Sequence, residues 1–353
     1  MRKKIGFTCA YTPVPLIEAA GFSPFRVLPD TAAPDQSGHL LHDNMCPHVK
    51  KVLDRALADD LPELAGMVFI NSCDAMRRLA DAWQDARPGD RVILLDLPSG
   101  RRPMDVEFLG REYARLGRAL GEWAGQPRNA EAEADRLRNA AADWNRLAGK
   151  IGEIRDAMAK DFVPGLAARL QGLVNTVAAR GTGAALEAVD RPLPGPDGGT
   201  GPQARVFFFG NLLYDPGIYD LFESWNIHVA GNDFCTGARF VPRIDLPPDR
   251  DLFTALAAAY LDRMPCARTM DTDRPGDIAR SVLDMARQSR ARGVVGFTVK
   301  FCDPYLARIP MIREELKQAS IPFLFLEGDC TAGAMGQQQT RIEAFTEMLE
   351  GRE

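Results

Sequence analysis

Six of the seven cysteines in this chain stand where a parallel α/β fold places its binding chemistry. Four of them end apolar runs and two stand beside prolines; in chain order the six are Cys46, Cys73, Cys235, Cys266, Cys302 and Cys330. Ligands of open α/β sheets bind outside the carboxyl ends of the strands. Thiols gathered at these positions predict a soft-metal site rather than core packing.

The spacing of the cysteines favours an iron–sulfur cluster over zinc. Zinc sites usually show C-x₂₋₄-C pairs, and the sequence contains none. Single cysteines that converge from separate loops are more typical of a cluster buried in a cleft.

Pro47 and Asp74 are good helix-starting residues, so we expect Cys46 and Cys73 at helix N-termini. There the helix dipole lowers the pKa of a thiol and stabilises an anionic cluster. Cys9, on the first predicted strand, is expected to pack against or line the site.

Nucleotide-binding and hydrolase motifs are missing from the sequence. There is no G-x-x-x-x-G-K-[ST], and Gly181-Thr-Gly183 lacks both the third glycine and the preceding strand of a dinucleotide fingerprint. The four histidines form no Ser/His/Asp pattern. His48 lies on a predicted helix face and is interpreted as structural. His42, in a polar loop ahead of Cys46, is a candidate proton donor, and Glu327, at the end of a strand near Cys330, is a candidate proton relay.

Length and composition indicate a globular protein of two domains. The chain has 353 residues, 46% apolar and 26% charged, and one core seldom extends over such a length. A net charge of −5 argues against a nucleic-acid partner, because no basic surplus exists to neutralise phosphates. Prolines and Glu18 interrupt any signal-like apolar run near the start, and no run approaches a membrane span. We therefore expect a cytoplasmic protein with reduced thiols.

Short apolar runs alternate with amphipathic stretches in two parts of the chain, which predicts βαβ units and parallel sheets. The predicted strands are 5–10, 25–28, 67–71, 91–96, 205–209, 227–230, 293–301 and 321–326. Residues 131–162 show apolar positions at helical spacing and predict a long helix or a helical hairpin. The expected architecture is two Rossmann-like lobes, 1–102 and 204–353, with a helical insertion at 103–189, a linker at 190–203 and a cleft between the lobes.

Six segments in order along the chain resemble the 2-hydroxyacyl-CoA dehydratase D-component family, which includes the cluster subunits of benzoyl-CoA reductase. The segments are Tyr11–Phe22, Asn44–Lys50, Asn71–Ala80, Leu95–Pro98, Lys300–Pro304 and Gln339–Phe345. The resemblance implies that Cys46, Cys73 and Cys302 hold one [4Fe-4S] cluster with an iron left open to a ligand. It also implies a partner, an ATP-hydrolysing iron–sulfur activator that supplies a low-potential electron. In this family the dehydratases use that electron to form a ketyl radical on the acyl-CoA and expel the hydroxyl group, whereas the benzoyl-CoA reductases reduce the ring.

A second cysteine triad, Cys235, Cys266 and Cys330, resembles the double-cubane branch of the family. In that branch two [4Fe-4S] units are joined by a sulfide into an [8Fe-9S] cluster, and the proteins reduce small molecules. The alternative is that these three thiols are buried and inert.

The resemblance therefore implies an iron–sulfur enzyme with a double-cubane cluster that reduces small molecules. Alternatives are a single-[4Fe-4S] subunit of an acyl-CoA dehydratase or benzoyl-CoA reductase, and a non-catalytic electron-transfer or scaffold subunit. A homodimer and a heterodimer with a related subunit both remain open.

Overall fold

The computed structural model describes residues 2–30, 33–190, 202, 204–263, 265–269, 271, 273–329 and 332–351. Cys330 and most of the predicted linker, residues 191–201 and 203, lie outside this described part. The domain boundaries stay a prediction.

The first half of the chain folds into a sheet of four parallel strands in the order β2-β1-β3-β4. Its elements are β1 Lys4–Phe7, α1 Val14–Ala19, β2 Ser23–Arg26, α2 Pro47–Leu57, β3 Leu64–Asn71, α3 Asp74–Ala86 and β4 Val92–Asp96. The strand order reverses between β1 and β3. This reversal creates the crevice in which open α/β sheets bind ligands.

The second half repeats the arrangement with a parallel sheet in the order β6-β5-β7-β8, which reverses between β5 and β7. Its strands are β5 Ala204–Gly210, β6 Ile227–Asp233, β7 Gly293–Val299 and β8 Phe323–Gly328. Its helices are α8 Gly217–Ser224, α9 Leu252–Asp262, α10 Asp277–Gln288, α11 Asp303–Leu306, α12 Ile309–Gln318, α13 Ala332–Gly336 and α14 Gln339–Glu350. Every residue of β7 is buried, as expected for a central parallel strand covered on both faces.

Four helices connect the two sheets: α4 Pro103–Trp123, α5 Ala130–Lys160, α6 Leu166–Arg180 and α7 Thr182–Val189. Helix α5 is continuous over 31 residues, which decides between the predicted long helix and hairpin in favour of the helix. Its apolar stripe is buried, and Trp144 Nε1 donates to the Pro242 carbonyl at 2.8 Å. Asn145 exchanges two hydrogen bonds with the Ile244 backbone, so α5 anchors the loop that follows β6.

Both sheets contribute to one contiguous hydrophobic core, which includes Ile5 and Phe69 from the first sheet and Phe208 from the second. All eight predicted strands are confirmed, with ends that differ by a few residues. The α/β class and the two parallel sheets are confirmed as well. None of the helices in the described part of the chain combines the length and apolarity that a bilayer crossing requires.

Candidate metal centre

A cavity of about 110 Å³ lies where the carboxyl ends of the two sheets meet. Loops that follow β1, β3, β5, β6 and β7 all contribute to its wall. Six cysteines line it, five of the predicted ligands together with Cys9; they are Cys9, Cys46, Cys73, Cys235, Cys266 and Cys302. All six are free thiols. The structure thus brings together residues that lie up to 293 positions apart in the chain.

Cys46, Cys73 and Cys302 each occupy the N-cap position of a helix, α2, α3 and α11 respectively. The predicted helix starts at Pro47 and Asp74 are therefore confirmed. None of the three helix starts has a side-chain cap hydrogen bond. N–H groups in the first turn of a helix have no intrahelical acceptor, so they are available to an anionic group held by these thiols.

The expectation that the helix starts lower the pKa of these thiols is wrong for the free cysteines. Burial raises the pKa of Cys46 to about 11 and that of Cys73 to about 12, and nearby backbone N–H groups offset only part of the effect. Burial also raises the pKa of Cys302. Desolvation of a thiolate outweighs the helix dipole here, so the thiols are neutral until a cation replaces the proton.

Cys235 and Cys266 form a second group in the same cavity, in which the two thiols are hydrogen-bonded to each other. This bond lowers the pKa of Cys266 to about 5 and raises that of Cys235. Arg239 Nη1 donates to Cys235 Sγ at 3.7 Å. A thiol that loses its proton more readily is the better metal ligand of the pair, because the thiolate is the form that binds metal.

Two buried arginines in the cavity wall have no carboxylate partner within the described residues. Arg26 is 3% exposed and donates only to the carbonyls of Thr8 and Cys235, and burial lowers its pKa to about 10. Arg263 lies 3.8 Å from the centre of the Tyr11 ring, and its Nε and Nη2 have no hydrogen-bond partner in the described part of the chain. Buried charges are normally paired, so these guanidinium groups fit a cavity whose ligand is an anion.

The donor set therefore fits an anionic iron–sulfur cluster: thiols to bind the irons, with guanidinium and N–H groups to hold the negative charge. Among the described residues, no three His, Cys, Asp or Glu side chains are grouped closely enough to hold a single metal ion. The thiolates that hold a [4Fe-4S] cluster bind different irons and stand further apart than the ligands of one ion.

The two predicted proton-transfer residues lie away from the cavity. His42 is exposed, and its Nδ1 accepts a hydrogen bond from the backbone N–H of Asn44. Glu327 is half-buried on β8 and does not belong to the cavity wall. Cys330 lies outside the described residues.

The residues of the cavity wall that sequence reasoning missed include two arginines, Arg26 and Arg263, and a histidine, His48. The helix pattern favours a structural role for His48, yet it is 1% exposed and neither ring nitrogen has a partner among the described residues. The sequence did indicate that His48 lies near the site, because His48 directly follows Cys46-Pro47. Arg26 was also recognisable as unusual, because it is a charged residue inside a predicted strand.

An open groove of about 1140 Å³ adjoins the cavity, and Arg263 lines both. The groove walls carry eight arginines and four aspartates. The surplus of positive charge suits an anionic ligand that reaches the cysteine cavity from this side.

Comparison with known proteins gives matches along the whole chain. The sequence model of the family described as "2-hydroxyglutaryl-CoA dehydratase, D-component" matches residues 9–349. The (R)-phenyllactyl-CoA dehydratase beta subunit of Clostridium sporogenes is 24% identical, over 99% of this chain and 92% of its own. The (R)-2-hydroxyglutaryl-CoA dehydratase subunit beta of Acidaminococcus fermentans is also 24% identical, over 99% and 93%. A benzoyl-CoA reductase subunit of Thauera aromatica is 21% identical, over 99% and 91%.

Proposed function

The chain belongs to the 2-hydroxyglutaryl-CoA dehydratase D-component family, and from that premise we propose that it is an iron–sulfur enzyme for low-potential reduction of small molecules. The family resemblance expected from the motifs is confirmed, and with it an enzyme of the dehydratase and reductase type. The observation that carries the finer proposal is the single cavity lined by six thiols from both sheets.

In the proposed enzyme, Cys46, Cys73 and Cys302 hold one [4Fe-4S] unit, and Cys235 and Cys266, with Cys330, hold a second. Such a cluster would supply low-potential electrons and an open iron position for a small ligand. Two features support one cluster that spans both cysteine sets. The sets share one cavity, and Cys235 and Cys266 interact with each other and with Arg239.

The remaining wall residues have roles that follow from their chemistry. Arg26 and Arg263 hold the negative charge of the cluster, which stabilises its reduced form. The apolar part of the wall excludes water from the bound group; it consists of Ala10, Val49, Met76, Leu212, Ala267 and Val299. Exclusion of water protects a strongly reducing centre from proton reduction and from oxygen.

A second candidate function is favoured by the arginine-rich groove and by the names of the relatives. A single [4Fe-4S] cluster on Cys46, Cys73 and Cys302 would then serve an acyl-CoA dehydratase or reductase, with the phosphates of CoA in the groove. For both candidate functions we propose an ATP-hydrolysing activator as the source of electrons. A related partner subunit is also proposed, because the relatives are named as subunits.

Iron counting distinguishes the two candidates. We would purify and reconstitute the protein without oxygen and measure iron and acid-labile sulfide in the wild type, Cys46→Ala and Cys235→Ala. The double cubane predicts about eight irons per chain, with losses in both variants, since it joins two four-iron units. About four irons, lost only in Cys46→Ala, would support the acyl-CoA reading.

Cys9→Ala is the matched control for this experiment, because Cys9 lines the same cavity and is not a proposed ligand. We expect it to retain the iron of the wild type. A wild type that takes up no iron even after reconstitution would refute both candidates.

A further inference from the structure

His48 belongs to the wall of the cysteine cavity and is a buried imidazole whose side chain has no hydrogen-bond partner among the residues that the structure describes. It is the second residue of α2, two positions after Cys46, and is 1% exposed. Neither Nδ1 nor Nε2 has a partner within the described residues. A neutral imidazole always carries one N–H donor, and a buried donor without an acceptor destabilises a fold. The position of His48 therefore needs an explanation other than packing.

His228 shows how this chain treats a buried histidine that has a structural role. It is 5% exposed, and its Nδ1 lies 3.4 Å from Arg205 Nη1. Its ring packs edge-on against Phe162 at 5.4 Å. His228 thus has neighbours that explain its orientation, whereas the ring nitrogens of His48, which lines the cavity, have no partner among the described residues.

Two further residues of the same wall also carry unpaired polar atoms, although Nη1 of Arg263 donates to the carbonyls of Ala10 and Arg239. Thr8 Oγ1, on the loop after β1, and Nε and Nη2 of Arg263 are buried and unpaired within the described part of the chain. Unpaired polar atoms therefore occur on three separate segments that line one cavity. Arginine can only donate, and histidine and threonine can both donate, so the group that satisfies all three has several acceptor atoms.

We propose that His48 donates a hydrogen bond to a sulfur atom of the cluster held by Cys46 and thereby tunes its reduction potential. This inference rests on the proposed function. It gives His48 the status of a positioning residue, not an iron ligand. Hydrogen bonds to the sulfurs are among the factors that set the potential of an iron–sulfur cluster. A donor stabilises the more negative, reduced form, so its loss lowers the midpoint potential.

The test compares His48→Leu and His48→Gln with the wild type, with His42→Leu as control. His42 is exposed and outside the cavity. Each protein is reconstituted without oxygen, and iron content, midpoint potential and the electron paramagnetic resonance spectrum of the reduced form are measured. We expect unchanged iron in all four proteins. The midpoint potential should be more negative in His48→Leu and restored towards wild type in His48→Gln, whose amide also donates.

Thermal unfolding of the proteins before reconstitution gives a readout that does not need the cluster. His48→Leu removes a buried unpaired donor, so it should unfold at a higher temperature than the wild type, whereas His42→Leu should not differ. A lower unfolding temperature in His48→Leu would show that the imidazole is a packing residue and would overturn the inference.

Three results keep the failure of the inference separate from that of the proposed function. Equal potentials and spectra in His48→Leu and the wild type would overturn the inference alone. Loss of iron from a stably folded His48→Leu would also overturn it, because His48 would then be an iron ligand. If the wild type binds no iron, the proposed function and the assignment of a sulfur acceptor fail together.

Discussion

The histidines illustrate how the surroundings of one side chain decide its chemistry. Burial, followed by the charge of Arg205, lowers the pKa of His228 to about 4. A histidine in an unfolded chain has a pKa near 6.5. The unfolded state therefore binds a proton first as the pH falls, and the native state binds it only near pH 4. The stability that the neutral ring provides is fully present above about pH 6.5 and is lost progressively below it.

This argument predicts the pH dependence of a variant. In His228→Leu the free energy of unfolding should decrease less between pH 6.5 and pH 4 than in the wild type, by at most about 3.5 kcal/mol at about 1.4 kcal/mol per pKa unit. The measurement is urea unfolding at a series of pH values. Parallel curves for variant and wild type would contradict the lowered pKa, and His39→Leu, in which an exposed ring is removed, is the control.

At the scale of elements, the carboxyl end of β5 shows how closely the central strands approach beside the site. An added Cβ on Gly210 would lie within 1.9 Å of the Phe297 carbonyl oxygen on β7. The Gly210 carbonyl also accepts a hydrogen bond from Tyr305 at 2.6 Å. Only glycine permits this approach, and Asn211, which follows it, lines the cavity.

Gly210→Ala should therefore destabilise the protein by about 3 kcal/mol or more, since the clash is with backbone and overpacking costs about 1–3 kcal/mol even where side chains can move. Gly149→Ala, at an exposed position of α5 with open space around the new methyl group, should stabilise it by up to about 1 kcal/mol. Denaturant midpoints measure both changes. Equal stability of Gly210→Ala and the wild type would mean that β5 and β7 are further apart than described.

The strands and helices could be predicted from the sequence better than the positions of individual side chains at the site, for a physical reason. Buried parallel strands such as β7 are continuous apolar runs, so all eight could be recognised. The convergence of the cysteines followed from the strand-end rule. That His48 lines the cavity and His42 does not depends on how α2 and the loop before it pack against their neighbours, which no local pattern encodes. The surroundings of Arg263 likewise depend on residues far away in the chain.

At the scale of the whole molecule, the site joins the two sheets. Arg26 of β2 donates to the Cys235 carbonyl at 2.7 Å, and Arg263 donates to the Ala10 carbonyl at 3.2 Å. Arg101, before α4, forms an ion pair with Asp277 of α10. A group bound by thiols from both sides would add a further connection that exists only in the native state.

Cluster loading should therefore raise the unfolding temperature of the wild type. A ligand that binds only the native state stabilises it by about 2.7 kcal/mol at a hundred times its dissociation constant. Anaerobic calorimetry before and after reconstitution measures the shift. We expect it in Cys9→Ala as well and not in Cys46→Ala; the same shift in all three proteins would mean that iron binds elsewhere.

The division of the thiols between the sheets also has a consequence for biosynthesis. Cys46 and Cys73 leave the ribosome early, whereas Cys302 follows only after the insertion and most of the second sheet have been made. A nascent chain that ends before Cys302 cannot close the cavity, so any group that needs thiols from both sheets can be delivered only after Cys302 has been made. Chains that terminate early would present unprotected cysteines and no site. The amount of iron bound per chain would then report the fraction of molecules that had been translated to completion.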